Sequence, residues 1–197
     1  GNGGLTAALC AWELGARDVL VVEKSDHYGG TSGLSGGGVW IPCNRYARAA
    51  GADDSPADAH RYLRQLIDED DVSEARLRAF LDNGPKMIDF LHERTRVRYR
   101  SLAHYPDYYT NLEGAREGHR SLEPEPFDAS ELGDAWRRLR RSHPMMHLGG
   151  VIGITQEEAA LLMAQQPGWW KIALRLFAAY AADLPWRQAR SHGPDLL

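Results

Sequence analysis

The chain opens Gly1-Asn2-Gly3-Gly4 and runs directly into the helix-like Leu5-Thr6-Ala7-Ala8-Leu9. Glycine ahead of a helix lets backbone approach an anion closely, and the helix N-terminus adds N–H donors and the positive end of its dipole. Gly1 and Gly4 stand as the last two glycines of a GxGxxG turn, with Gly3 between them, so binding of a dinucleotide pyrophosphate is the chemistry expected there. On that reading the first glycine and the first strand lie upstream of Gly1; a plain loop before a helix is the alternative. Glu23 follows Gly4 by nineteen residues, at the end of the apolar run Val19-Leu20-Val21-Val22. An acid at that place accepts hydrogen bonds from a ribose 2′-hydroxyl and disfavours a 2′-phosphate, which argues against NADP. A solvated charge closing a strand is the other reading of Glu23.

From His27 to Pro42 the chain is loop-like and carries six glycines, Gly29, Gly30, Gly33, Gly36, Gly37 and Gly38. That density leaves backbone bare for close approach to a phosphate or a flat ring, and Thr31, Ser32 and Ser35 add hydroxyls that can reach phosphate oxygens. A flexible linker is the alternative, but linkers are not flanked by an interior strand on one side and Val39-Trp40-Ile41-Pro42 on the other.

The run from Glu23-Lys24 through Gly29-Gly30-Thr31-Ser32, then Ser35-Gly36-Gly37-Gly38-Val39-Trp40-Ile41-Pro42, resembles the FAD-contacting segment of the fumarate reductase and succinate dehydrogenase flavoprotein superfamily. Its ending is most similar to the 3-ketosteroid Δ1-dehydrogenase branch. The resemblance extends through Tyr105-Pro106-Asp107-Tyr108-Tyr109, Arg120-Ser121-Leu122-Glu123-Pro124 and Pro126-Phe127-Asp128, and so covers most of residues 1–128. It implies a doubly wound domain with non-covalent FAD accepting a hydride at N5, and a catalytic lobe inserted into it. It also implies FAD contacts from Gly1, Gly3, Gly4, Glu23, Lys24, Gly29, Gly30, Thr31, Ser32, Ser35, Gly36, Gly37 and Gly38.

Desaturating a ring beside a ketone needs a base, a group that polarises the carbonyl, and a hydride acceptor, which the flavin supplies. By the resemblance Tyr108 matches a tyrosine that hydrogen-bonds to the base and assists it, with adjacent Tyr109 one residue away; a loop aromatic packed on its domain is the structural alternative. The base and the groups holding the ketone are expected beyond Leu197, so this chain is expected to be catalytically incomplete and to retain FAD weakly. The implied activity is dehydrogenation of a 3-ketosteroid or related cyclic ketone. A dicarboxylate reductase of the same superfamily and a non-catalytic truncated FAD-binding fragment are the competing readings.

These residues need elements to hold them. The expected fold class is α/β, a Rossmann-like FAD-binding domain without its first strand, followed by the start of a helical, mixed α+β catalytic lobe. The division expected is 1–50 for the FAD-binding segment and 51–197 for the remainder. Leu5 to Leu14 reads as a buried helix closed by Gly15, and Val19 to Val22 as an interior strand of a parallel sheet. Ser55-Pro56 opens a capped helix with Tyr62, Leu63, Leu66 and Ile67 on one face. Two helices are expected over Ser73–Asp82 and Pro85–Glu93, broken at Asn83-Gly84, then a strand near Val97–Tyr99 and a long polar stretch from Ala103 to Asp128. Thr155-Gln156-Glu157-Glu158 is a capping box, and an amphipathic helix is expected over Trp169–Leu184, with no element signal from Arg187 on. That last helix permits a peripheral membrane contact, although packing on its own core is favoured.

Composition narrows the classes. With 197 residues, 43% hydrophobic and 25% charged, the chain is globular, and a net charge of −4 gives no basic footprint for nucleic acid. Cys10 and Cys43 form no CxxC pair and no histidines stand at ligand spacing, so no metal site is expected and the setting expected is reducing and cytoplasmic.

Overall fold

The computed structural model describes residues 1–165 and 167–190. They form two compact units, one of Gly1–Gly36 with the described residues from Arg137 on, and one of Gly37–Trp136.

The first unit opens with helix α1 (Asn2–Glu13), capped by Gly1 and followed by Leu14 and Gly15. It starts three residues earlier than expected, and none of its residues is buried. Leu5, Trp12 and Leu14 are exposed, and the segment Val19 to Val22 forms no strand, with Leu20 82% and Val22 81% exposed. The physical reason is common to both departures. A strand exists only where a neighbour takes its N–H and C=O groups, and no described strand pairs with residues 19–22. Without that sheet, α1 has nothing to bury its apolar face against.

Helix α2 (Gly30–Leu34) replaces part of the expected glycine loop. The three-residue 3-10 turn Pro144–Met146 and the hairpin β4 (His147–Leu148) and β5 (Ile152–Gly153), closed through Gly149 and Gly150 at positive φ, were not signalled by periodicity. Helix α6 (Gln156–Met163) begins at Thr155 with both halves of the capping box formed. Helix α7 (Trp169–Arg190) packs on α6 and β5 and buries Leu176. Its other side leaves Trp170, Leu174 and Phe177 exposed, so only one face is core. It also runs past the expected end at Leu184; the rest of the expected unstructured end, residues 191–197, lies outside the described residues.

In the second unit, β1 (Val39–Trp40), β3 (Ser121–Pro124) and β2 (Tyr99–Ser101) make an antiparallel sheet in the order β1-β3-β2. Residues alternate faces along β1. Val39 and Ile41 join Ile88, Tyr99, Leu122 and Tyr46 in one cluster, while Trp40 joins Ala59, Leu77, Leu81, Leu63 and Ile67 in another. Complete burial of Ile88 and Leu122 contributes about 1.5–3 kcal/mol each. A short helix, α3 (Arg45–Ala49), is capped by Asn44, and α4 (Pro56–Arg64) is capped by Ser55 as expected. Of the expected apolar face of α4 and the turn after it, Leu66 remains exposed.

Helix α5 (Glu74–Arg94) is one element where two were expected. Pro85 removes one N–H, but Asn83 Nδ2 donates to Ala79 O at 2.7 Å, and a Cβ on Gly84 would sit 3.2 Å from Ile41 Cδ1. Asn-Gly-Pro here is a place of close approach to the strand end and does not end the helix, because packing outweighs the lost hydrogen bond. β2 lies two residues later than the strand expected near Val97, and the long polar stretch contains β3.

Candidate functional site

Gly1 and the start of α2 come together. A Cβ on Gly1 would lie 3.0 Å from Ser32 Oγ and 3.1 Å from Gly29 O, and one on Gly30 would lie 3.1 Å from Gly1 N. Gly29 and Gly30 hold φ of 121° and 56°, so any side chain there is strained, and at Gly30 crowded as well. Asn2 N–H donates to Ser32 Oγ at 3.1 Å. No side chain caps the Gly3 and Gly4 N–H groups at the start of α1. A Cβ on either would meet nothing within 4 Å. Two residues expected to hold a pyrophosphate from 28 positions apart, Gly1 and Gly29, therefore line one cradle with an uncapped helix end facing it. The residues fit a dinucleotide of the FAD type.

Other expected contacts are distributed less tightly. Thr31 lies in the first turn of α2, and Ser35 is its C-cap, donating from Oγ to Ser32 O at 3.3 Å. Glu23 and Lys24 are exposed, and Glu23 Oε1 accepts from Lys24 N at 2.8 Å and Ser25 N at 3.2 Å, which curls the chain around the carboxylate. Gly36 lies against Met146 Cε, 2.7 Å from where a Cβ would be. In the second unit, Gly37 has φ 73° and packs on the Pro124 ring, and Gly38 is exposed just before β1.

The tyrosine tract is organised by charge. Arg120 is buried, donating to Asp107 Oδ2 at 2.7 Å and to Asp54 Oδ1 at 2.7 Å. Burial by itself pulls a guanidinium pKa down, but hydrogen bonding and charge from Asp54, then Asp107, outweigh it and raise it. Asp107 also accepts from Trp40 Nε1 at 2.7 Å and from Arg116 N at 2.9 Å. The guanidinium lies over the Trp40 and Tyr62 rings, at 5.5 and 5.8 Å from their centroids. One carboxylate thus ties the tyrosine loop to the first strand after the glycine-rich segment.

Tyr108 is 83% exposed and Tyr109 54%. The neighbouring Tyr108 hydroxyl raises the Tyr105 phenol above its ordinary value, helped by partial burial. Tyr109 N donates to Tyr62 OH at 3.3 Å instead. Sequence reasoning missed the Arg120, Asp54 and Asp107 cluster. Asp107 and Arg120 sit inside the two tracts that carry the resemblance, yet residues 54, 107 and 120 share no local spacing that signals an ion pair. Cys43 is a further consequence: burial, then the charge of Asp54, pushes its thiol up to about 11.

Among the described residues no helix is long and apolar enough to cross a membrane. The chain matches the FAD binding domain family over residues 1–188. It is 40% identical to a 3-oxosteroid 1-dehydrogenase of Mycobacterium tuberculosis (strain ATCC 25618 / H37Rv) over 152 residues, 77% of this chain and 27% of that protein. It is 34% identical to the 3-oxosteroid 1-dehydrogenase of Comamonas testosteroni over 188 residues, 95% of this chain and 32% of that protein. The crystal structure of 3-ketosteroid Δ1-dehydrogenase from Sterolibacterium denitrificans, in complex with 1,4-androstadiene-3,17-dione, superposes with a TM-score of 0.88 at 41% identity, covering 95% of this chain and 33% of that one. The chain therefore spans about a third of the length of the relatives it matches. With a glycine cradle that a single Cβ would fill and a family match over nearly its whole length, the chain belongs to the FAD binding domain family, and its cofactor is FAD.

Proposed function

We propose that the whole protein is an FAD-dependent dehydrogenase that removes two hydrogens from adjacent carbons of a 3-ketosteroid or related cyclic ketone. The observation that carries this reading is the likeness, at 41% identity over 95% of the chain, to a steroid dehydrogenase holding a ring-A dienone product. FAD supplies the hydride acceptor. Gly1, Gly3, Gly4, Gly29, Gly30, Thr31 and Ser32 hold its pyrophosphate, and Glu23 with Lys24 meets the ribose side. Ser35, Gly36, Gly37 and Gly38 carry the chain along the flavin, and residues 1–50 are the FAD-binding segment. Tyr108 relays a proton for the base, while Asp107 keeps the tyrosine loop in register with Trp40. The free thiols of Cys10 and Cys43 support a reducing, cytoplasmic setting.

The test is turnover of the whole protein with an artificial electron acceptor, read by mass. A 3-keto-4-ene steroid should lose two hydrogens, and Tyr108→Phe should lower kcat about a hundredfold with little change in KM. No loss of hydrogen from any 3-ketosteroid, together with reduction of fumarate, would replace the reading with a dicarboxylate reductase.

A further inference from the structure

Four arginines, Arg137, Arg138, Arg140 and Arg141, crowd five positions of the chain. The fold gives one of them a place that its neighbours lack. Tyr28 forms a parallel bridge with Leu139: Tyr28 N–H donates to Arg138 O at 2.8 Å, and Arg140 N–H donates to Tyr28 O at 2.7 Å. Tyr28 is the residue before Gly29, so this pair of hydrogen bonds fixes Arg140 beside the glycines that open α2. A Cβ on Gly29 would sit 3.4 Å from Arg140 Cβ, and one on Gly33 would sit 3.4 Å from Arg140 Cβ and 3.2 Å from Arg140 O. The tight approach of the Arg140 carbonyl at Gly33 needs glycine there, and it lets the arginine lie flush against the first turn of α2.

Arg140 is half-buried, and among the described residues its guanidinium makes no ion pair and no hydrogen bond. Arginines elsewhere in this chain that are half-buried, such as Arg45, Arg64 and Arg116, have carboxylate partners. A cation withdrawn from solvent without a partner carries a cost that an anion relieves. The cradle beside it is built for a pyrophosphate, yet α1 and α2 offer only backbone donors and hydroxyls there, and α2 has only five residues behind its dipole. A guanidinium fork matches phosphate oxygens in geometry as well as charge.

We propose that Arg140 is a binding residue for the FAD pyrophosphate, its fork supplying the positive charge that the glycine cradle lacks. The assignment rests on the cradle of Gly1 and Gly30 as the pyrophosphate seat and does not depend on which ketone is oxidised. Arg141, one residue along, is exposed, and none of its atoms is among those nearest a Cβ at Gly29 or Gly33.

The experiment uses the apo form of the whole protein, titrated with FAD and separately with riboflavin, which has the ring system and no phosphate, by flavin fluorescence. Arg140→Gln should raise the FAD Kd roughly tenfold or more, the worth of one charge-assisted hydrogen bond. It should leave riboflavin within twofold and reduce the dependence of FAD affinity on ionic strength. Arg140→Lys, which keeps the charge and loses the fork, should fall between, and Arg141→Gln should match the parent. An FAD Kd within twofold of the parent for Arg140→Gln overturns the proposal, as does an equal loss for riboflavin or for Arg141→Gln. Gly30→Ala, run alongside, separates the two levels: weakened FAD binding there with no effect at Arg140 leaves the cradle standing and removes the arginine.

Discussion

Arg120 is the residue on which the second unit turns. Its side chain and that of Asp107 are each 2% exposed, so the pair is held without solvent to share the charge. Removing one partner leaves the others desolvated and unpaired, and that penalty, more than the attraction lost, sets the cost. Arg120→Met should destabilise the protein by about 3–5 kcal/mol. A loss of unfolding free energy below about 1 kcal/mol in denaturant titration would mean water reaches Asp54 and Asp107. The same variant should loosen Trp40 and the tyrosine loop together, because Asp107 bonds both Trp40 Nε1 and Arg116 N. Trp40 emission would report it through a red shift. Little of this was legible beforehand. The glycines and Glu23 advertise themselves by density and spacing, whereas residues 54, 107 and 120 become neighbours only when β1, β3 and the loops between them have folded.

At the scale of elements, legibility followed how locally each element is determined. The Ser55 cap and the Thr155 capping box form as expected because their partners lie three residues away, at Asp58 and Glu158. Helix α5 was misread at Asn83-Gly84-Pro85 because the local signals for a break are genuine, and only the approach of Ile41 to Gly84 makes continuity the better solution. Residues 19–22 were misread the other way. Their composition suits a strand, but strand formation belongs to a pair, and α1 depends on the same absent partner for burial.

The Ser55 cap also carries a pH dependence. Asp58 is held below the ordinary carboxylate value first by the Ser55 hydroxyl, with burial opposing and Arg116 and Arg61 adding to the depression. A carboxylate whose folded value is depressed stabilises the fold fully above its unfolded value, and that stabilisation is lost as pH falls through the folded one. Tm should therefore be flat near neutrality and fall below about pH 4, with a shallower fall in Asp58→Asn. An acid limb of identical slope in that variant would show that other groups set it.

Across the whole molecule, the family assignment and the proposed activity rest on different supports. The match over residues 1–188 and the Gly1–Gly30 cradle concern the cofactor. The choice of substrate rests on relatives of which this chain spans about a third, and on Tyr108, whose exposed side chain can meet groups from the rest of the protein. The most direct measurement is the flavin absorbance of the whole protein, mixed with a 3-ketosteroid in the absence of oxygen. Dehydrogenation of the ketone through the flavin requires that the oxidised band bleach, and more slowly in Tyr108→Phe. A flavin that stays oxidised with every 3-ketosteroid and simple cyclic ketone offered would contradict it.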